Sequence, residues 1–161
     1  MHPARKKNRL KGYSYSQPGA YFVTVCVKDR EPILGSVVGG DAHIAPYVQL
    51  TRTGTVVEKY LKSIPGVGHY VIMPNHVHLM IHISADNPLK GPMWASAPTE
   101  ASVPSVIRSW KTLISKELGH SIWQRSYYDH VIRDEQEYNE IAQYIENNPA
   151  RWCEDRYYSG Y

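Results

Sequence analysis

The sequence predicts an α+β fold, one antiparallel sheet with helices packed on it. Short runs of β-branched and aromatic residues are punctuated by Gly and Pro, and longer segments repeat apolar residues at helical spacing. Their order, strand, helix, two strands, then two helices, is that of a layered α+β domain. At 161 residues and 42% hydrophobic content the chain can bury one core, so residues 1–161 are read as a single domain without internal repeats.

Residues 1–16 form a basic N-terminal arm. Arg5, Lys6, Lys7, Arg9 and Lys11 crowd its start with no acid among them. Such an arm attracts phosphate by counterion release, and the same composition also serves as a solubilising tail.

Tyr21 to Lys28 reads as a strand, entered through the turn signal Gln17-Pro18-Gly19. Arg30 to Pro46, with Pro32, Gly35, Gly39 and Gly40, reads as a loop with one edge strand. Thr51 to Ser63 sets Val56, Val57, Tyr60 and Leu61 at helical spacing before Pro65 and Gly66, predicting an amphipathic helix. His69 to Met73 and His76 to Ile83, separated by Pro74-Asn75, read as adjacent antiparallel strands.

Residues 84–104 are rich in Pro, Ala, Ser and Thr, too poor in large apolar groups to order themselves, and are expected to be a flexible loop. Val103 to Leu118 then lines up Val106, Ile107, Trp110, Leu113, Ile114 and Leu118 on one side of a second helix. Asp134 to Asn147 is a third, with acids in its first turn that suit the helix dipole and a stop before Pro149.

The formal charge of +3 is mild, and Cys26 and Cys153 have no spacing that suggests a thiolate metal site or redox pair. There is no apolar run of eighteen residues, and Met1 to Lys7 lacks a signal-peptide core. The expectation is a soluble, cytoplasmic protein with no membrane contact.

The most informative stretch is Met73-Pro74-Asn75-His76-Val77-His78-Leu79. On a strand, His76 and His78 project from one face while Val77, Leu79, Ile81 and Ile83 project from the other, which marks the core side. Two imidazoles so placed can share one divalent ion if further ligands arrive from another element; they can equally be a satisfied polar face. His82 continues that face, as an outer group of such a site or a solvent-facing side chain. The metalloprotease spacing His-Glu-x-x-His is absent, and a barrel hydrolase would need a longer chain.

In the third helix Tyr138, Ile141, Ala142 and Ile145 form one apolar stripe. Tyr144 lies beside it, four residues before Asn148, so phenol and amide share an edge face. A tyrosine hydroxyl can attack phosphorus and conserve the bond as a phosphotyrosine ester, given a divalent ion to withdraw charge. With 13 tyrosines in the chain, most are packing or surface residues; the histidines and Asn148 single out Tyr144.

Met73 to His78 resembles the HUH motif of the small single-tyrosine transposases, and Tyr144-Ile145-Glu146-Asn147-Asn148-Pro149 resembles the tyrosine helix of the REP-associated tyrosine transposases. Trp123 to Glu135 is similar to that subfamily's linking segment, and Arg9 to Tyr13 and Gly19 to Thr24 add to the likeness. The resemblance implies a ferredoxin-like HUH endonuclease fold, a Mg²⁺ or Mn²⁺ cofactor, and cleavage of single-stranded DNA near a hairpin through a 5′-phosphotyrosine intermediate. By position, it makes His76 and His78 metal ligands and Tyr144 the nucleophile. Asn148 stands where related insertion-sequence transposases carry a glutamine ligand; one methylene shorter, it suits direct or water-bridged ligation. The arm residues, with Arg108 and Lys111, become DNA contacts, and Tyr157, Tyr158 and Tyr161 base-stacking candidates. The partner is single-stranded or hairpin DNA, and the assembly a monomer or homodimer. Two readings compete with this one, a non-catalytic hairpin-DNA-binding relative and a metal nuclease in which water attacks.

Overall fold

In the computed structural model, residues 18–84, 102–155 and 158 are described. The basic arm and most of the expected flexible loop, residues 85–101, lie outside them.

Strand β1 (Gly19–Cys26) is followed by a 3₁₀ turn (Lys28–Arg30), the hairpin β2 (Gly35–Val38) and β3 (Tyr47–Leu50), helix α1 (Arg52–Lys62), and strands β4 (Val67–Met73) and β5 (His76–Ile83). Helix α2 (Val103–Leu118), strand β6 (Tyr128–Ile132), helix α3 (Glu135–Glu146) and a last 3₁₀ segment (Pro149–Glu154) complete the chain. The main sheet runs β4-β5-β1-β6, with every neighbouring pair antiparallel. With the small hairpin set aside, β1-α1-β4-β5-α2-β6 is the split βαβ arrangement of a ferredoxin-like core, as expected.

The helix ends follow from local chemistry. The Thr51 hydroxyl accepts from Gly54 N at 3.1 Å to open α1, Ser102 and Ser105 form a capping box on α2, and Asp134 accepts from Glu137 N at 2.7 Å to open α3. Val103 and Pro104 belong to the first turn of α2, so the loop predicted to reach 104 stops short of it: proline, lacking an N–H, suits a helix start.

Two strands were not expected. The Arg30–Pro46 region contains one strand, β2, as read, and the following Tyr47–Leu50, which was not assigned, pairs with it as β3. The strand β6 was not expected at all, because its residues lack an alternating apolar pattern and its pairing with β1, Tyr128 opposite Thr24, is non-local.

One sheet face carries the main core. Tyr21, Val23 and Val25 of β1 with Val77, Leu79 and Ile81 of β5 meet Val57 and Leu61 of α1 and Val106, Ile107, Trp110 and Ile114 of α2. The other face is also covered: Met80 packs with Ala142 and Ile145 of α3, and Met73 with Trp152 of the last 3₁₀ segment, against which Val37 and Val48 of the hairpin close. The histidines therefore occupy a buried second layer, not a solvent face.

Candidate active site

Strand alternation sends His76 and His78 toward α3 and the last 3₁₀ segment, where they are 0% and 1% exposed. Each ring is oriented through Nδ1. His76 Nδ1 lies 2.8 Å from Asn75 Oδ1, and His78 Nδ1 lies 2.7 Å from the Thr24 hydroxyl. An amide oxygen only accepts, so Asn75 holds the His76 proton on Nδ1 and leaves a lone pair on Nε2. Phe22 stacks on His78 at 5.3 Å and Trp152 lies over His76 at 5.9 Å.

The two Nε2 atoms face each other 3.1 Å apart. Ligand atoms about 2.1 Å from a common ion sit about 3.0 Å apart at a right angle and about 3.4 Å apart at the tetrahedral angle. The observed separation is within reach of one shared ion. A third donor comes from Asp155, whose Oδ2 is 3.8 Å from His76 Nε2 with its side chain 6% exposed. Donor atoms of His76, His78 and Asp155 all lie within 4.8 Å of one another. Two imidazoles and a carboxylate are an appropriate set for a divalent cation.

Tyr144, 44% exposed, brings its hydroxyl to 3.5 Å from His78 Nε2, and its ring centroid lies 5.3 Å from that imidazole. Asn148 is buried; its Nδ2 donates to Tyr144 O at 3.3 Å, while its Oδ1 is a buried acceptor without a partner among the described residues. A buried orphan oxygen is costly unless something satisfies it, and a cation would. Tyr144, Asn148 and Asp155 share the lining of a cleft of about 490 Å³ with Arg151 and the acids Glu140 and Glu154, among others.

Sequence reasoning named His76, His78, Tyr144 and Asn148, and the fold gathers the two histidines with Tyr144, with Asn148 one turn further along beside the same cleft. It did not find Asp155, which no spacing announces because the 3₁₀ segment delivers it: Trp152 is buried and Asp155 N donates to Trp152 O at 3.0 Å. Nor did it find Thr24, visible only through the β1–β5 register that sets it opposite His78. Asn75 carried a signal, an amide beside the first histidine.

His82 lies elsewhere, with Nδ1 3.1 Å from Gly66 O and Nε2 3.2 Å from the Tyr138 hydroxyl. Arg108 and Lys111 sit on α2, across the sheet from the histidines. Arg108 is exposed, while the Lys111 ammonium donates to Gln124 O at 2.9 Å and burial pushes its pKa down. Arg5, Lys6, Lys7, Arg9 and Lys11 lie outside the described residues, as do Tyr157 and Tyr161; Tyr158 packs edge-on to Trp152 at 5.3 Å. Among the described residues no helix is long and apolar enough to cross a membrane.

A solved structure of a REP-associated tyrosine transposase bound to a REP hairpin shares this fold with a TM-score of 0.58 at 18% identity, covering 89% of this chain and 73% of that one. A Haemophilus influenzae protein provisionally named a REP-associated tyrosine transposase is 23% identical over 141 residues, 85% of this chain and 73% of the relative. An uncharacterised protein of the same bacterium is 31% identical over 173 residues, 96% of this chain and 93% of its own length. The family described as transposase, IS200-like, matches residues 19–148, from the first residue of β1 to Asn148. That span holds the strand histidines and the tyrosine helix together, and the chain belongs to the IS200-like transposase family.

Proposed function

We propose that this transposase nicks and rejoins single-stranded DNA beside a hairpin, in the manner of the REP-associated members, with Tyr144 as nucleophile and a 5′-phosphotyrosine intermediate. The observation that carries the reading is the approach of the Tyr144 hydroxyl to 3.5 Å from His78 Nε2, at the mouth of a buried His-His-Asp donor set. Tyr144 is 44% exposed and shares the lining of the cleft with Asn148 and Asp155.

His76, His78 and Asp155, with Asn148 as a further oxygen donor, would hold a Mg²⁺ or Mn²⁺ ion, which would withdraw charge from the phosphodiester. Tyr144 Oη attacks phosphorus, the Tyr–O–P bond forms and the P–O3′ bond breaks. The phenolic proton lost is balanced by the proton gained at the released 3′ oxygen. Attack of a 3′-hydroxyl on the phosphotyrosine reverses these changes and joins a new end. Asn75 and Thr24 keep the imidazoles oriented throughout, and Phe22 and Trp152 exclude water from their buried faces. The assembly is read as a monomer or a homodimer. Arg5, Lys6, Lys7, Arg9 and Lys11, with Arg108, would add phosphate contacts, and the protein would act in the cytoplasm.

The test incubates the protein with labelled hairpin-bearing single-stranded DNA and Mn²⁺ and resolves the products on a denaturing gel. A covalent protein–DNA adduct lost in Tyr144→Phe supports the reading. Cleavage without an adduct replaces it with a water-dependent nuclease, and binding without cleavage of a panel of hairpin substrates replaces it with a non-catalytic DNA-binding role.

A further inference from the structure

The cleft at Tyr144 is dominated by acids. Glu140 of α3, Glu154 and Asp155 line it, and among the described residues Arg151 is the one lysine or arginine that does. A phosphodiester brought to the phenol therefore meets three carboxylates and a single guanidinium. A divalent ion on the donor set would offset Asp155, which leaves the repulsion from Glu140 and Glu154 to Arg151.

Arg151 is held in place by its backbone. Its N–H donates to Asn147 O at 3.2 Å and to Asn148 O at 3.1 Å, and the next residue, Trp152, is buried over His76. Asn148, Arg151 and Glu154 stand at three-residue spacing, the period of a 3₁₀ turn, and all three line the cleft. The Arg151 side chain is 70% exposed, with Nε 3.4 Å from Glu154 Oε2. An exposed pair of this kind contributes little to stability, whereas a guanidinium on a phosphate makes two parallel charge-assisted hydrogen bonds. Exchanging Glu154 for a phosphate gives up little and gains a bidentate contact.

We propose that Arg151 clamps the phosphodiester presented to Tyr144, and that Glu154 stands in for that phosphate on the guanidinium until DNA arrives. Arg151 then offsets the charge that builds on the phosphate oxygens during attack, and Glu154 sets how tightly the free cleft holds a strand. The proposal rests on the strand-transfer reading above for the identity of the anion.

The experiment measures fluorescence anisotropy of a labelled hairpin DNA with a single-stranded tail, in EDTA, across a salt series. Arg151→Gln should bind about tenfold more weakly than the unaltered protein, with a salt slope shallower by about 0.7 for one single-strand phosphate contact. Glu154→Gln should bind about threefold more tightly, and that gain should disappear when Arg151→Gln is also present. Lys62→Gln on α1 should bind as the unaltered protein does, and thermal midpoints should be unchanged throughout. Unchanged affinity and slope in Arg151→Gln overturn the clamp. A gain from Glu154→Gln that persists without Arg151 overturns the exchange and leaves general repulsion in its place. With Mn²⁺ and saturating DNA, the adduct should form about a hundredfold more slowly in Arg151→Gln, at unchanged Mn²⁺ affinity by calorimetry. An unaltered protein that forms no adduct refutes the tyrosine chemistry, while the metal-free affinities still decide for or against Arg151.

Discussion

The phenolic oxygen of Tyr144 and Nε2 of His78 lie 3.5 Å apart across 66 positions of sequence. Their meeting depends on α3 packing Ala142 and Ile145 onto Met80 of the same strand that bears the histidines. Tyr138, two turns earlier on α3, instead bonds His82 outside the site. Tyr138→Phe should therefore cost about 1 kcal/mol or less in stability and still form adduct, whereas Tyr144→Phe should keep its stability and form none. Thermal melts and the denaturing gel separate the two.

Second-layer residues should show in metal affinity before they show in folding. Thr24→Val and Asn75→Ala each remove the partner of a histidine Nδ1, and Mn²⁺ binding followed by calorimetry should weaken roughly 10- to 100-fold. Thr24→Ser, which keeps the hydroxyl, should bind nearly as the parent does.

Asp155 and Asn148 are expected to differ in kind. Asp155→Asn removes the one negative charge of the donor set, so its Mn²⁺ affinity should fall further than that of Asn148→Ala, which removes a neutral oxygen. If Asn148→Ala proved the more damaging, the carboxylate would be a bystander and the helix amide the third ligand.

Glu137 supplies the pH prediction. The Arg133 N–H and then His130 hold its carboxyl below the ordinary value of 4.5, clasping the start of α3 to the end of β6. A depressed carboxylate pKa gives stability that is complete above the unfolded value and lost as pH falls through the folded one. Glu137→Gln should lower the melting temperature at pH 7, and the gap from the parent should close as the pH drops below about 4.5. A gap that stayed constant into acid would mean that the clasp is not ionic.

Legibility in the sequence followed the range of the interactions. The C-terminal bound of α2 was readable because its apolar period is long and Gly119 supplies a left-handed stop at φ 82°, while its start was blurred by the loop read on to residue 104. His76, His78 and Tyr144 were readable because each motif is contiguous. Strand β6 and the Thr24 contact depend on register between distant segments, and Asp155 on a 3₁₀ turn anchored by the burial of Trp152; no local pattern encodes any of them. The covering of the histidine face was hidden for the same reason, since Trp152 and the β2–β3 hairpin reach it only in the folded state.

The order in which the donor set is written along the chain bears on the cell that makes it. Thr24, Asn75 and the histidines leave the ribosome well before α3 and the 3₁₀ segment that carries Asp155, and domains begin to fold while synthesis continues. On the proposed mechanism, a nascent chain with its first strands in place would still lack both Tyr144 and Asp155. Its proposed capacity to break a strand would be complete only once translation had passed residue 155.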